Sequence, residues 1–227
     1  IDTNKEDIAI QEAQRLNIPE SAAQTVESDG LVTFGAGVVF RHPLVRSAVY
    51  RAAGADARSE AHRALAEATD PAIDPDRRAW HRAQATTMPD EEIAAELEQS
   101  AARAQARGGF AAAAAFLERS SVLTPDPSRR AGRALAAAHT KFQAGALDDA
   151  LDLLATAETG VLSDLELARV DLLRAQITFV ATHGSDAPPL LLEAARRLSP
   201  LDPALARETY LDALSAALFA GRLAGPG

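Results

Sequence analysis

From about residue 56 onward, apolar residues recur at spacings of three and four, and Pro, Gly and Asp cut the pattern into helix-length blocks. The blocks read as helices over about 57–69, 75–87, 90–107, 109–122, 128–143, 146–158, 163–182, 187–198 and 203–223. One face of each block is apolar: Ile93, Leu97, Ala101 and Ala104; Ala131, Leu135, Ala138 and Phe142; Leu165, Ala168, Leu172, Ala175 and Phe179. Such faces are buried by packing helix against helix.

The separators repeat. Gly108-Gly109-Phe110 opens one block and Gly145-Ala146-Leu147 another, 37 residues on. Phe110, Ala113, Phe116 and Leu117 then align with Leu147, Ala150, Leu153 and Leu154. Leu123-Thr124-Pro125-Asp126-Pro127 is echoed by Leu198-Ser199-Pro200-Leu201-Asp202-Pro203, each closing one helix and opening the next. A period of this length, with small residues where helices cross and Gly at the turn, predicts a tetratricopeptide-like α-solenoid of helix hairpins. In such a stack the first helix of each pair lines a groove that takes a peptide or protein.

The opening segment is written differently. Residues 6–16 and 19–28 read as short helices, the second opened by Pro19 as its first helical residue. Ser28-Asp29-Gly30 stops the helical pattern, and Leu31–Phe34 and Val38–Phe40, joined by Gly35-Ala36-Gly37, predict a β-hairpin. Pro43 then opens a helix expected to bury Leu44, Ala48 and Tyr50. Helix, helix, hairpin, helix is a winged-helix-like order. Its second helix carries Glu20 and Glu27 and no Lys or Arg, which argues against a DNA-recognition role.

Composition narrows the chemistry. Aromatics are 4% of the 227 residues, and Ala and Leu carry most of the 47% apolar content, which favours close helix-on-helix packing in an all-α fold. With no cysteine, disulfides, zinc-thiolate sites and thiol nucleophiles are excluded. No apolar run reaches the roughly 18 residues of a membrane span, and Asp2, Lys5, Glu6 and Asp7 occupy the place of a signal-peptide core, so a cytoplasmic location is expected. A net charge of -9 opposes non-specific attraction to phosphate backbones. The start at Ile1 and the Gly225-Pro226-Gly227 end suggest a piece of a longer protein.

Few residues invite a chemical reading. His42 precedes a helix N-terminus, where it either caps the helix or helps to receive a phosphate. His62, His81, His139 and His183 lie in separate blocks, with no pair at the spacing of two metal ligands on one helix face. His62 and His81 read as part-buried helix histidines bonded to a carbonyl or carboxylate, and Trp80 as a core anchor. Arg103, Arg107, Lys141 and Arg174 are ligand contacts or solvated charges alike. Glu91-Glu92 and Asp148-Asp149 sit where acids offset a helix dipole. There is no phosphate-binding loop and no nucleophile elbow, so no catalytic residue is named.

Gly30-Leu31-Val32, Val39 through Tyr50, Ala61 through Ala66, Arg77 through Ala83, Gly108 through Ala113 and Leu117-Glu118-Arg119 together resemble the central region of the large ATP-binding regulators of the LuxR family, signal-transducing NTPases common in actinobacteria. The resemblance implies that 1–54 is a winged-helix subdomain ending an NTPase module and that 55–227 is a helical-repeat domain. It further implies ATP or ADP as a cofactor of the whole protein, promoter DNA bound only by a domain outside this chain, and a nucleotide-phosphate-sensing role for His42. No cofactor or metal is expected in the chain itself, and the Walker motifs and the DNA-binding helix-turn-helix are absent from it. The expected function is non-catalytic: the repeats sense a small-molecule inducer or a protein and signal to the ATPase. The alternative is a constitutive interaction or oligomerisation scaffold without switching.

Overall fold

The computed structural model describes residues 19–34, 38–182 and 186–223. The helix expected at 6–16, the glycine turn at 35–37 and His183 lie outside them. The chain divides into two compact units, Ile1–Ser100 and Ala101–Gly227. Among the described residues the architecture is all-α apart from one small antiparallel hairpin, followed by a series of paired helices of the α-solenoid kind.

In the first unit, α1 (Glu20–Ser28) follows Pro19, which stands one residue before the helix as its N-cap rather than at its first turn position. The helix ends on Gly30 at φ 65, with Gly30 N–H donating to Glu27 O and Leu31 N–H to Val26 O. This pair of bonds is the Schellman arrangement, which needs a residue tolerant of positive φ. Strands β1 (Val32–Phe34) and β2 (Val38–Phe40) pair with Val32 opposite Phe40. Helix α2 (Pro43–Ala52) follows, and here the expectation fails: it buries no residue, and Leu44 and Tyr50 stand 70% and 48% exposed. Helical spacing shows which residues share a face, not that a neighbour covers it. Helices α3 (Ala55–Ala68) and α4 (Pro75–Ala85) then pack against each other, with Ala64, Ala66, Ala79 and Ala83 buried.

Helix α5 (Glu91–Ala106) contains the division between the units. The second unit continues with α6 (Phe110–Leu123), α7 (Pro127–Gln143), α8 (Leu147–Glu158), α9 (Asp164–Thr182), α10 (Ala187–Leu198) and α11 (Pro203–Leu223). Helix α7 packs on α6 and α8, and α10 on α9 and α11, while α9 also touches α7 and α8. First helices α7, α9 and α11 thus alternate with second helices α6, α8 and α10.

The 37-residue echo is a repeated backbone solution. Gly108 and Gly145 adopt φ 76 and 79, and each closes a Schellman motif: Gly108 N–H to Gln105 O with Gly109 N–H to Ala104 O, and Gly145 N–H to Phe142 O with Ala146 N–H to Lys141 O. The next residues, Gly109 and Ala146, share nearly the same dihedrals before α6 and α8 begin. Helix starts repeat as well. Asp74, Asp126 and Asp202 each accept the N–H three residues on, and each precedes a Pro at the first helical position, where the missing N–H costs nothing.

Packing keeps the same period. Buried Ala131, Leu135, Ala138 and Thr140 of α7 correspond to buried Ala168, Leu172, Ala175 and Ile177 of α9, again 37 residues on. One cluster joins Leu135 and Ala138 of α7 and Leu154 of α8 to Val170, Leu173 and Ile177 of α9. The next joins Ala168, Leu172 and Ala175 of α9 and Leu191 and Leu198 of α10 to Ala206, Ala213 and Ala216 of α11. Each first helix therefore presents one face to the preceding pair and another to its own partner, with alanines setting the close approach. Among the described residues, no helix is long and apolar enough to cross a membrane.

Candidate functional site

A cavity of about 510 Å3 opens among the first helices of three successive pairs. Helix α7 contributes Gly132, Leu135, Ala136 and His139, one helical face with a glycine at its near end. Helix α9 supplies a mixed stripe in which Glu166, Arg169 and Gln176 flank Leu172 and Leu173, and α11 closes the cavity with Leu205 and Glu208. Among the described residues no second helix lines it, as expected of a groove made by first helices.

The polar groups differ in how they are held. Glu166 Oε2 accepts from the Ser163 N–H at 2.8 Å and the Ser163 hydroxyl at 2.6 Å, while Ser163 Oγ accepts from the Glu166 N–H at 3.3 Å. This capping box starts α9 and fixes the carboxylate at the cavity. Arg169 reaches toward Asp202 at 3.7 Å. Burial, and then the Arg169 charge, lower the pKa of His139, which stays a neutral imidazole at pH 7. Gln176 and Glu208 make no hydrogen bond or ion pair among the described residues.

His42 is the N-cap of α2: its Nδ1 accepts the Leu44 N–H at 3.2 Å, and the residue is exposed. Accepting through Nδ1 leaves Nε2 to carry the ring proton of the neutral form. Of the residues left open between ligand contact and solvated charge, Lys141 bridges Asp149 at 2.8 Å and Glu118 at 3.3 Å, the Asp149 bond chiefly raising its pKa, and Arg174 pairs with Glu158 at 2.8 Å. Arg103 and Arg107 are also engaged. None of the four lines the cavity.

His62 and His81 are not bonded to a carbonyl or carboxylate as expected; they are bonded to each other. Their Nδ1 atoms lie 2.9 Å apart across the α3–α4 hairpin, and the Tyr50 hydroxyl lies 3.2 Å from His62 Nε2. Arg58 covers the Tyr50 ring, 5.3 Å from its centre. Sequence spacing could not find this pair, because its members stand on different helices. Trp80 beside them is half-buried. A smaller cleft of about 320 Å3, lined in part by Arg63, Arg78, Arg82 and Glu67, is close to charge balance: Arg82 is held by Glu92 at 3.0 Å and by Glu96. Among the described residues no three His, Asp or Glu side chains are grouped to hold a metal ion.

Compared with protein-family models, curated proteins and solved structures, the chain matches none. Its own architecture defines the class: a helical-repeat protein, of the kind used as a scaffold for binding proteins or ligands.

Proposed function

We propose that this chain is the non-catalytic sensing part of a LuxR-type, ATP-dependent transcription regulator, in which the helical pairs bind an inducer or partner protein and bias ATPase and DNA-binding parts that lie outside these residues. The observation that carries the reading is the cavity among α7, α9 and α11. An occupant there touches the first helices of three consecutive pairs at once, and so couples their relative packing to its own binding. The regulator assignment rests on the ordered sequence motifs, with 1–54 as the end of the nucleotide-binding module and 55–227 as the repeat domain. His42 fits a phosphate contact there, since its Nε2–H and the start of α2 both favour an anion.

Two measurements test this. Ala136 is exposed in the cavity wall, so Ala136→Trp fills the cleft at little cost to the fold; inducer or partner binding to the full-length regulator is expected to be lost, and unchanged binding overturns the groove reading. In the same protein, His42→Ala is expected to weaken nucleotide affinity, and unchanged affinity and exchange remove His42 from the nucleotide site.

A second reading, constitutive association, is favoured by α11. Leu211, Leu214 and Leu218 are 58–63% exposed. Leu211 and Leu214 stand two positions before buried Ala213 and Ala216, the offset at which Ala168 and Ala175 of α9 precede Val170 and Ile177 and pack with α10, and Leu218 extends the stripe one turn beyond Leu214. The stripe occupies the face on which the other first helices receive a partner helix. Light scattering separates the readings: a scaffold is associated with or without nucleotide and inducer, a switch only in one state.

A further inference from the structure

We infer that the cavity among α7, α9 and α11 receives a cationic amine carried on an apolar body; this rests on the groove reading and gives it a ligand chemistry. Three observations carry it. The first is a held carboxylate with spare capacity: Glu166 is oriented by Ser163 through Oε2, while Oε1 takes no hydrogen bond among the described residues. A carboxylate already fixed in place loses little freedom when an ammonium docks on its open oxygen.

The second is Gly132. It lies inside α7, where glycine is a poor helix former, and no turn or positive φ requires it. A Cβ at this position would stand 2.9 Å from Glu166 Oε1. Glycine therefore leaves the space in which that oxygen faces the cavity wall, at the expense of helix stability.

The third is charge. Glu166 and Glu208 line the cavity against one cation, Arg169, which is drawn toward Asp202, and His139 is held neutral by burial and by Arg169. The lining is net negative in a chain that is itself at -9, so a cation is attracted at long range as well as on contact. Leu135, Leu172 and Leu205 provide apolar surface for a hydrocarbon body of the size the cavity admits. The ammonium belongs either to a free small amine or to a lysine side chain.

The test titrates n-hexylamine, hexanoate and 1-hexanol into the chain, followed by NMR. Hexylamine is expected to bind saturably at resonances of α7, α9 and α11, with hexanoate and hexanol about tenfold weaker or more, the usual scale of one charge-assisted hydrogen bond. Glu166→Gln is expected to weaken hexylamine by a similar factor. Gly132→Ala, whose methyl displaces the carboxylate, is expected to weaken it too while leaving the melting temperature equal or higher, so lost binding cannot be ascribed to misfolding. A blocked Leu-Lys-Leu peptide identifies the source: tighter than hexylamine means a lysine side chain, weaker means a free amine. Hexanoate or hexanol binding as well as hexylamine, no saturable hexylamine binding, or hexylamine affinity unchanged in both variants, overturns the amine assignment. That failure leaves the groove reading standing so long as Ala136→Trp still abolishes inducer or partner binding, and removes it if that variant changes nothing.

Discussion

His62 and His81 face each other Nδ1 to Nδ1 at 2.9 Å, so one ring must donate and the other accept. A doubly protonated pair points two N–H groups at each other. Burial, then the proximity of His62 and Arg77, lowers the His81 pKa from 6.5 to about 4, with Asp74 opposing, and burial lowers that of His62. The unfolded chain therefore binds protons between pH 6.5 and about 4 that the folded chain does not, and stability present above pH 6.5 is lost as pH falls through this window. His139 acts in the same direction. Melting temperatures at pH 7.5 and 5 are expected to differ in that sense, with a smaller drop in His81→Asn; an equal drop places the proton uptake elsewhere.

Gly108 and Gly145 close the same turn at φ 76 and 79, with nothing within 4 Å of a Cβ at either position. The cost of alanine is then backbone strain alone, about 1–2 kcal/mol. Gly108→Ala and Gly145→Ala are expected to lose similar amounts in urea denaturation, and a penalty at one position only means that the two turns are not equivalent.

Leu154 of α8 is fully buried and Leu214 of α11 is 58% exposed. Leu154→Ala is expected to cost about 2–5 kcal/mol by leaving a cavity, whereas Leu214→Ala stays within about 0.5 kcal/mol. Chemical denaturation of the two variants reads the contrast. If Leu214→Ala proves as costly as Leu154→Ala, the outer face of α11 is covered in solution.

Arg133 is buried and donates to Thr124 Oγ1 at 2.6 Å, and the Thr124 hydroxyl donates to Ser120 O at 2.7 Å. Thr124→Val keeps the shape but removes one acceptor of a buried guanidinium, and is expected to cost about 1 kcal/mol. Thr124→Ser, which keeps the hydroxyl, is expected to retain most of that stability, so equal losses in thermal unfolding would assign the effect to the methyl group instead.

What the sequence made legible was local chemistry. Asp before Pro marks the helix starts after Asp126 and Asp202, and Gly108 and Gly145 mark a repeated turn, because caps are fixed by residues a few positions apart. Ile93, Leu97, Ala101 and Ala104 were correctly placed in the core for the same reason. The exposure of Leu44 and Tyr50 is not legible, because burial depends on a covering element, which periodicity does not reveal. The His62–His81 bond and the cavity join residues on different helices, and only tertiary packing brings those together. Glu166 is the exception: Ser163 and Glu166 stand at capping-box spacing, a local signal that the sequence itself carries.

The alternation of first and second helices in the second unit also governs how that unit comes apart. Each cluster ties a helix pair to its immediate neighbour, so contacts are short in sequence and loop-closure costs stay small, the condition for rapid folding. Opening can then start at an end and travel inward one pair at a time. The α7–α8 hairpin, clamped between α6 and α9, is where amide hydrogens would be retained longest.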